Sequence, residues 1–168
     1  MKKALETLLH LRSEGVLAKF AIGGAVAASF YVEAVATEDL DVFAFLAPSA
    51  SELLSLSSLY QRCQELGGVV RNEHIVMGGW PVQVLPAYTP LVEQAVTQAQ
   101  EQTYDGLAVP VVGADFLCAI ALQTGRPKDY QRVFSLIEAG KVDALRLREL
   151  VEQHHLQERW NVYARRYA

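Results

Sequence analysis

Cysteine is scarce in this chain: among 168 residues only Cys63 and Cys118 are cysteines, and they are far apart. Two widely spaced thiols argue against a disulfide framework or a cysteine zinc site, so both are expected to be buried free thiols. Long apolar runs are lacking too, because no segment approaches the roughly 20 residues of a membrane-spanning helix. The start, residues 1–6, becomes amphipathic rather than forming a signal peptide, so we expect a cytoplasmic protein.

The composition is that of a compact globular chain, with 51% hydrophobic and 20% charged residues. Such a chain is long enough to bury a proper core as one unit. The periodicity predicts an α/β order: helix 2–14, strand 19–22, helix 24–33, strand 40–46, a break at 48–51, helix 52–66, a hairpin with arms 69–77 and 80–85, helix 91–100 and a strand at 106–112. Four further helices are predicted at 115–124, 127–139, 143–154 and 156–167. We therefore expect a sheet-containing core at 1–112 and a helical subdomain at 113–168.

Two short motifs carry the chemical information in the first part of the chain. Gly23 and Gly24 follow a predicted strand and begin a helix, where glycines let a ligand approach the backbone and the helix dipole favours an anion. Asp39 and Asp41 lie two residues apart in the next strand, so their side chains share one face, about 6–7 Å apart along it. Two carboxylates so close repel each other unless a cation lies between them. A Mg²⁺ ion that also binds substrate phosphates would meet this need.

In these motifs the chain resembles the nucleotidyltransferase superfamily of the polymerase-beta type. It looks most similar to the small bacterial and archaeal nucleotidyltransferases that are grouped with abortive-infection toxins. The resemblance covers most of the chain and includes a later strand at 81–85 and the tail segment Arg126-Pro127-Lys128-Asp129. It implies an α/β nucleotidyltransferase-like mixed sheet flanked by helices, with a nucleoside triphosphate and Mg²⁺ as ligands.

The resemblance also implies a role for each motif residue. Gly23 and Gly24 would hold the triphosphate, and Asp39 and Asp41 would be catalytic residues that ligate Mg²⁺. Arg126, Lys128 and Asp129 would face the nucleotide, with the cations on phosphate and the carboxylate capping or orienting them; a plain helix start with solvated charges is the other interpretation.

The chain departs from the family pattern at the position of a third carboxylate. Active members usually carry one on a neighbouring strand, and the matching residue here is Gln83. An amide oxygen can bind a metal ion, but it has no charge and is no base at neutral pH. The tail also has residues 122–124, Leu-Gln-Thr, where a lysine is often found. His74, in the adjacent predicted strand, is either a substitute base or an ordinary strand histidine.

Charge is unevenly distributed along the sequence, although the formal net charge is only −4. Residues 1–125 carry 6 Lys or Arg against 13 Asp or Glu, whereas residues 126–168 carry 9 against 6. An acidic carboxylate site opposite a basic tail would suit a metal-bound nucleotide between them. No basic stripe interleaved with aromatic residues is present, which gives little support to a dedicated nucleic-acid surface.

Two functions from different classes follow from these patterns. The first is Mg²⁺-dependent transfer of a nucleotidyl group from a nucleoside triphosphate to an acceptor hydroxyl or phosphate, with catalysis weakened by Gln83. The residues do not identify the acceptor, and RNA and protein are both candidates. The second is a catalytically degenerate nucleotide-binding or protein-interaction module, such as half of a toxin–antitoxin pair, acting as a homo-oligomer or with a partner protein. Gln83 is the residue that separates them.

Overall fold

A seven-stranded mixed sheet forms the centre of the computed structural model, which describes residues 1–33, 36–46 and 56–167. The strands are β1 (Leu17–Ile22), β2 (Leu40–Leu46), β3 (Val69–Arg71), β4 (His74–Met77), β5 (Trp80–Pro86), β6 (Gln100–Tyr104) and β7 (Leu107–Val111). Their order across the sheet is β3-β4-β5-β2-β1-β7-β6. β2 pairs with β5 and β1 with β7 in parallel, whereas the remaining pairs are antiparallel.

Eight helices accompany the sheet within the described ranges. They are α1 (Lys2–Ser13), α2 (Gly24–Ala28), α3 (Leu56–Glu65), α4 (Pro90–Thr97), α5 (Ala114–Thr124), α6 (Pro127–Glu138), α7 (Ala144–Gln153) and α8 (Gln157–Tyr167). None of them is long and apolar enough to cross a membrane. The predicted α/β class, a mixed sheet flanked by helices, is confirmed.

The apolar pattern of the sequence explains the core. α1 places Leu5, Leu8 and Leu11 on one buried face, because residues three apart lie on the same side of a helix. β1 and β2 contribute fully buried residues that include Ile22 and Val42. Cys63 and Cys118 are buried free thiols, as predicted, and burial raises the pKa of Cys63 to about 11.

The helix predicted at 24–33 is wrong in length, because α2 ends at Ala28 and is followed by turns. Tertiary contacts account for the early end. The Tyr31 hydroxyl donates to the carbonyl of Val112 at 3.1 Å, and the Phe30 ring packs edge-on against Tyr104 with centroids 6.5 Å apart. Partners on distant strands thus outweigh a local helical preference that the sequence does contain.

The prediction that residues 69–77 form a single hairpin arm is also wrong, because they form two strands, β3 and β4, joined at residues 72–73. Asn72 has a φ of 54°, a left-handed conformation that asparagine tolerates better than most residues. The second turn is as predicted: Gly78 and Gly79 have φ values of 55° and 82°, the positive pair that a two-residue hairpin turn requires.

One strand, β6, is not predicted by the sequence pattern. The helix predicted to end at Gln100 ends at Thr97, and Gln100 begins β6, which forms a hairpin with β7. The signal was available, because Asp105 and Gly106 are a favoured hairpin dipeptide and both have positive φ. The predicted helix 52–66 is described only from Leu56 onward, and the predicted break at 48–51 lies outside the described residues.

Candidate functional site

A cleft of about 570 Å³ lies between α6 and the start of β2. Its volume lies in the range of ordinary small-molecule sites. The lining residues come from α2 and the turns after it, from β2 and β5, and from α6: Ala25, Ala28, Ser29, Val32, Glu33, Ala36, Thr37, Asp39, Asp41, Gln83, Arg126, Lys128, Gln131, Arg132, Phe134 and Ser135.

Asp41 of β2 and Asp39, which directly precedes this strand, both line the cleft. Strand alternation explains their shared direction, since Leu40 and Val42 between and after them are fully buried in the core. The structure therefore presents two carboxylates toward the same space.

Gly23 and Gly24 are not among the residues that line the cleft, and they pack against side chains of β2. A Cβ atom on Gly24 would overlap the carboxylate of Asp41, and one on Gly23 would overlap the Phe43 ring. The Gly23 N–H donates to the Asp41 carbonyl at 2.9 Å, which ties the start of α2 to β2. Gly24 also has a φ of 59°, which only glycine adopts without strain. The geometry gives both glycines a packing role, and whether they also hold phosphate stays a prediction.

The electrostatics of Asp41 reflect this crowded position. Burial raises the pKa of Asp41 above its usual value, and the charge of Asp39 raises it further. Arg132, Arg126 and Lys128, in that order, oppose the rise without cancelling it. Burial and the neighbouring charge of Asp39 therefore both disfavour the ionised form of Asp41, and a bound cation would offset them.

Gln83 lies directly beside Asp41, because the two residues are partners in the parallel pairing of β2 with β5. Both side chains line the cleft. The neighbour of the carboxylate pair is therefore a neutral amide, which can offer one carbonyl oxygen or two N–H donors.

Asp39 has two polar neighbours of its own. The Thr37 hydroxyl donates to Asp39 Oδ1 at 3.1 Å, and His74 Nε2 lies 3.5 Å from Asp39 Oδ2. The His74 ring is not among the residues that line the cleft. His74 therefore contacts the Asp39 carboxylate from outside the cleft lining, and its role as a substitute base stays a prediction.

The opposite wall of the cleft is α6, and a buried carboxylate organises its cations. Asp129 is only 1% exposed, yet it accepts from Arg126 Nε at 2.6 Å, Arg126 Nη2 at 3.2 Å and Arg132 Nη1 at 3.3 Å. The Arg126 backbone N–H also donates to Asp129 Oδ2 at 3.3 Å, which caps the helix start that Pro127 begins. The hydrogen bonds that Arg126 donates to Asp129 raise the pKa of Arg126 above its usual value, so this cation stays charged.

Arg132 is a site residue that the sequence reading missed. Its side chain is 18% exposed, lines the cleft and is the cation that most lowers the pKa of Asp41. The signal was its spacing, since it follows Lys128 by four residues and Asp129 by three, which puts all three on neighbouring positions of one helix surface.

The structure brings together in this cleft the side chains of Asp39, Asp41, Gln83, Arg126 and Lys128. Asp129 lies behind them and holds two of the cations. The roles of these residues toward a ligand stay predictions.

The donor set fits one hard divalent cation. Two carboxylates and an amide oxygen are ligands that Mg²⁺ accepts, with phosphate and water oxygens completing its shell. The described residues contain no cluster of three His, Cys, Asp or Glu side chains placed to hold a metal ion by themselves.

Comparisons with known proteins identify the fold. No known protein-family model matches the chain, and none of the curated proteins is significantly similar to it in sequence. The solution structure of the antibiotic-resistance factor ANT(2'')-Ia superimposes with a TM-score of 0.58 at 16% identity, covering 97% of this chain and 95% of that one. A complex of ANT(2'')-Ia with adenylyl-2''-tobramycin gives 0.51 at 15% identity, over 98% and 97% of the two chains.

A third structure is similar to the same degree. An antigenic nucleotidyltransferase-like protein from Paracoccidioides brasiliensis gives a TM-score of 0.53 at 16% identity, covering 97% of this chain and 90% of that one. The chain therefore has a nucleotidyltransferase-like fold over nearly its whole length. The specific likeness to the toxin-associated group stays a prediction.

Proposed function

We propose that this protein binds a nucleoside triphosphate with Mg²⁺ and transfers its nucleotidyl group to an acceptor. One observation carries the proposal: a carboxylate pair, Asp39 and Asp41, shares a single cleft with three cationic side chains, Arg126, Lys128 and Arg132. A metal-bound triphosphate has the complementary charges, a dication and a polyanion. The nucleotidyltransferase-like fold of the chain supports the same conclusion.

Asp39 and Asp41 would hold the Mg²⁺ ion, with the amide oxygen of Gln83 beside Asp41 as a further neutral ligand. When bound, the ion supplies Lewis-acid charge to phosphate oxygens on which negative charge develops during transfer. Gly24 contributes by leaving room for the Asp41 carboxylate, which a side chain at that position would displace.

The cations on α6 would bind the phosphates. Arg126 and Arg132 are fixed by the buried carboxylate of Asp129, so little side-chain freedom is lost when an anion binds. Arginine offers planar pairs of N–H donors that match phosphate oxygens, and the exposed Lys128 adds a mobile charge.

In the transfer step an oxygen of the acceptor forms a bond to the α-phosphorus, and the bond from that phosphorus to the oxygen bridging to the β-phosphate breaks. Pyrophosphate leaves, and a hydroxyl acceptor loses its proton to solvent water. Gln83 cannot take that proton because an amide is no base at neutral pH. The reaction is therefore expected to be slow, since a well-placed general base is worth about 10²–10⁴ in rate. RNA and protein are the candidate acceptors used in the test below.

The second candidate is a binding protein without transferase activity, and Gln83 is the observation that favours it. The neutral amide next to Asp41 leaves the site with two carboxylates. A module of this kind would retain the nucleotide but act through protein contacts, as one partner of a toxin–antitoxin pair does.

The test is incubation of the pure protein with α-labelled nucleoside triphosphates, Mg²⁺ or Mn²⁺, and bulk RNA or protein acceptors. The wild type is expected to label weakly, Asp41→Asn is expected to abolish labelling, and Gln83→Asp is expected to increase it. Direct titration of Mg²⁺-ATP into the same three proteins runs in parallel. Nucleotide binding without labelling by the wild type or by Gln83→Asp would favour the binding module, and an absence of both would reject both functions.

A further inference from the structure

Among the described residues that line the cleft, Phe134 of α6 is the one aromatic side chain. Its side chain is 38% exposed, although burial of an aromatic ring in the core is favourable. Ala25, Ala28 and Val32 add apolar surface to the same cleft. The site therefore has an apolar part that the carboxylates and cations do not explain.

The Phe134 ring is held in place from behind by the last helix. Its centroid lies 5.7 Å from that of Tyr167, which in turn stacks on Tyr163 with centroids 5.3 Å apart and an angle of 22° between the rings. Tyr163 is buried and also contacts Trp160 and Tyr130. Because the ring belongs to a packed aromatic row, its orientation is set before any ligand binds.

Along α6, Phe134 lies beyond all three cations of the cleft, two residues after Arg132. It follows Lys128 by six residues, a rise of about 9 Å along the helix axis. A nucleotide has the same division, with its phosphates at one end, a flat ring at the other and a sugar between them.

Two polar residues accompany the ring on the cleft wall. Gln131 and Ser135 both line the cleft and are exposed, and the Ser135 hydroxyl donates to the Gln131 carbonyl at 3.0 Å. The Gln131 amide can donate and accept, as the polar edge of a nucleobase does.

We propose that Phe134 is the nucleobase-stacking residue of this site, and that Gln131 and Ser135 contact the edge of the stacked base. This inference rests on the proposed function, because it assigns the two ends of a bound nucleoside triphosphate to two ends of one cleft. Aromatic stacking is tolerant of base identity, since every base has a π-face. The site should accordingly accept several nucleoside triphosphates.

The experiment compares two probes that differ only in the nucleoside. Mg²⁺-ATP and Mg²⁺-tripolyphosphate are titrated calorimetrically into the wild type, Phe134→Ala, Phe134→Tyr and Asp41→Asn. We expect Phe134→Ala to weaken ATP binding by about tenfold or more and to leave tripolyphosphate binding unchanged. Phe134→Tyr keeps the ring and should bind ATP as the wild type does. Circular dichroism and thermal unfolding show whether each variant is folded.

The outcomes separate the inference from the function on which it rests. Equal ATP affinity in Phe134→Ala and the wild type would overturn the stacking role, while loss of both probes in Asp41→Asn would still support the metal–triphosphate site. A parallel loss of ATP and tripolyphosphate in a folded Phe134→Ala would also overturn it, because the effect would not depend on the base. If the wild type binds neither Mg²⁺-ATP nor Mg²⁺-tripolyphosphate, the proposed function and the inference are both overturned.

Discussion

The carboxylate of Asp41 occupies the space that a side chain on Gly24 would need. This contact joins the two sequence motifs of the first part of the chain, since the glycine at the start of α2 is what lets the strand carboxylate lie where it does. It also makes the two residues mutually dependent, because enlarging one must displace the other.

Gly24→Ala is expected to destabilise the protein and to remove Mg²⁺-ATP binding. Alanine would be strained at a φ of 59°, at a cost of about 1–2 kcal/mol, and its methyl group would push Asp41 away. The matched control is Gly15→Ala, where φ is 76° but nothing lies within 4 Å of the added Cβ. Urea unfolding of both variants measures the difference, and equal destabilisation would show that the Asp41 contact costs nothing.

Asp41→Asn is expected to stabilise the metal-free protein near neutral pH while it removes Mg²⁺ binding. Burial and the charge of Asp39 raise the pKa of Asp41, so the fold penalises the ionised carboxyl. A neutral amide of the same shape removes that penalty, and a gain of about 1 kcal/mol would raise Tm by roughly 2–4 °C in a chain of this size.

The pH dependence supplies the check on this explanation. A carboxyl whose pKa is raised by folding stabilises the fold while it is protonated, and that contribution is lost as pH rises through the raised pKa. The advantage of Asp41→Asn should therefore disappear on acidification below the ordinary carboxyl range. Thermal unfolding from pH 3 to pH 8 measures it, and a pH-independent gain would point to a steric cause instead.

Asp129→Asn is expected to cost about 1–3 kcal/mol of stability, because hydrogen bonds from two guanidinium groups to a buried carboxylate are lost or weakened. Phosphate affinity should fall as well, since Arg126 and Arg132 would no longer be held. The control is Glu152→Gln, which breaks an ion pair with Arg148 whose side chains are 60% and 78% exposed. That exposed pair should contribute almost nothing to urea unfolding.

Arg132→Gln is expected to weaken Mg²⁺-tripolyphosphate binding by about five- to tenfold, because it removes one charge-assisted contact from the cleft. The variant should also show a shallower dependence of affinity on NaCl concentration, since one fewer charge pair is screened. Lys141→Gln, which removes an exposed cation that does not line the cleft, serves as the control. Identical salt dependence in Arg132→Gln and Lys141→Gln would remove Arg132 from the phosphate site.

Much of the fold could be predicted because the signals were local. The leucine spacing of α1, the Gly78-Gly79 turn and the Pro127 helix start each depend on neighbouring residues, and each is present in the structure. The errors fell where distant contacts decide. α2 ends at Ala28 because Phe30 and Tyr31 find partners on and beyond remote strands. β6 is a different case, because its turn signal, Asp105-Gly106, is present in the sequence and its mostly polar residues pair with the neighbouring β7.

The candidate site shows the same division. Strand alternation alone put Asp39 and Asp41 on one face, and the order of the motifs pointed to a carboxylate site opposite a basic tail. Arg132 has a local signal in its spacing from Lys128 and Asp129, whereas Phe134 carries none by itself. They matter because α6 packs along the cleft, where a buried Asp129 and the stacked Tyr167 fix their directions.

The sequence by itself determined which groups are available. These are the carboxylates of Asp39 and Asp41, the neutral amide of Gln83 in a later strand, and the cations of a helix that begins at Pro127. Periodicity and turn chemistry suffice for this because they act over a few residues. Only the tertiary structure decided which groups meet. The parallel pairing of β2 with β5 sets Gln83 beside Asp41, and the packing of α6 against the cleft sets Arg132 and Phe134 on its wall. These contacts join residues more than 40 positions apart, and their geometry depends on how whole elements bury their apolar faces together.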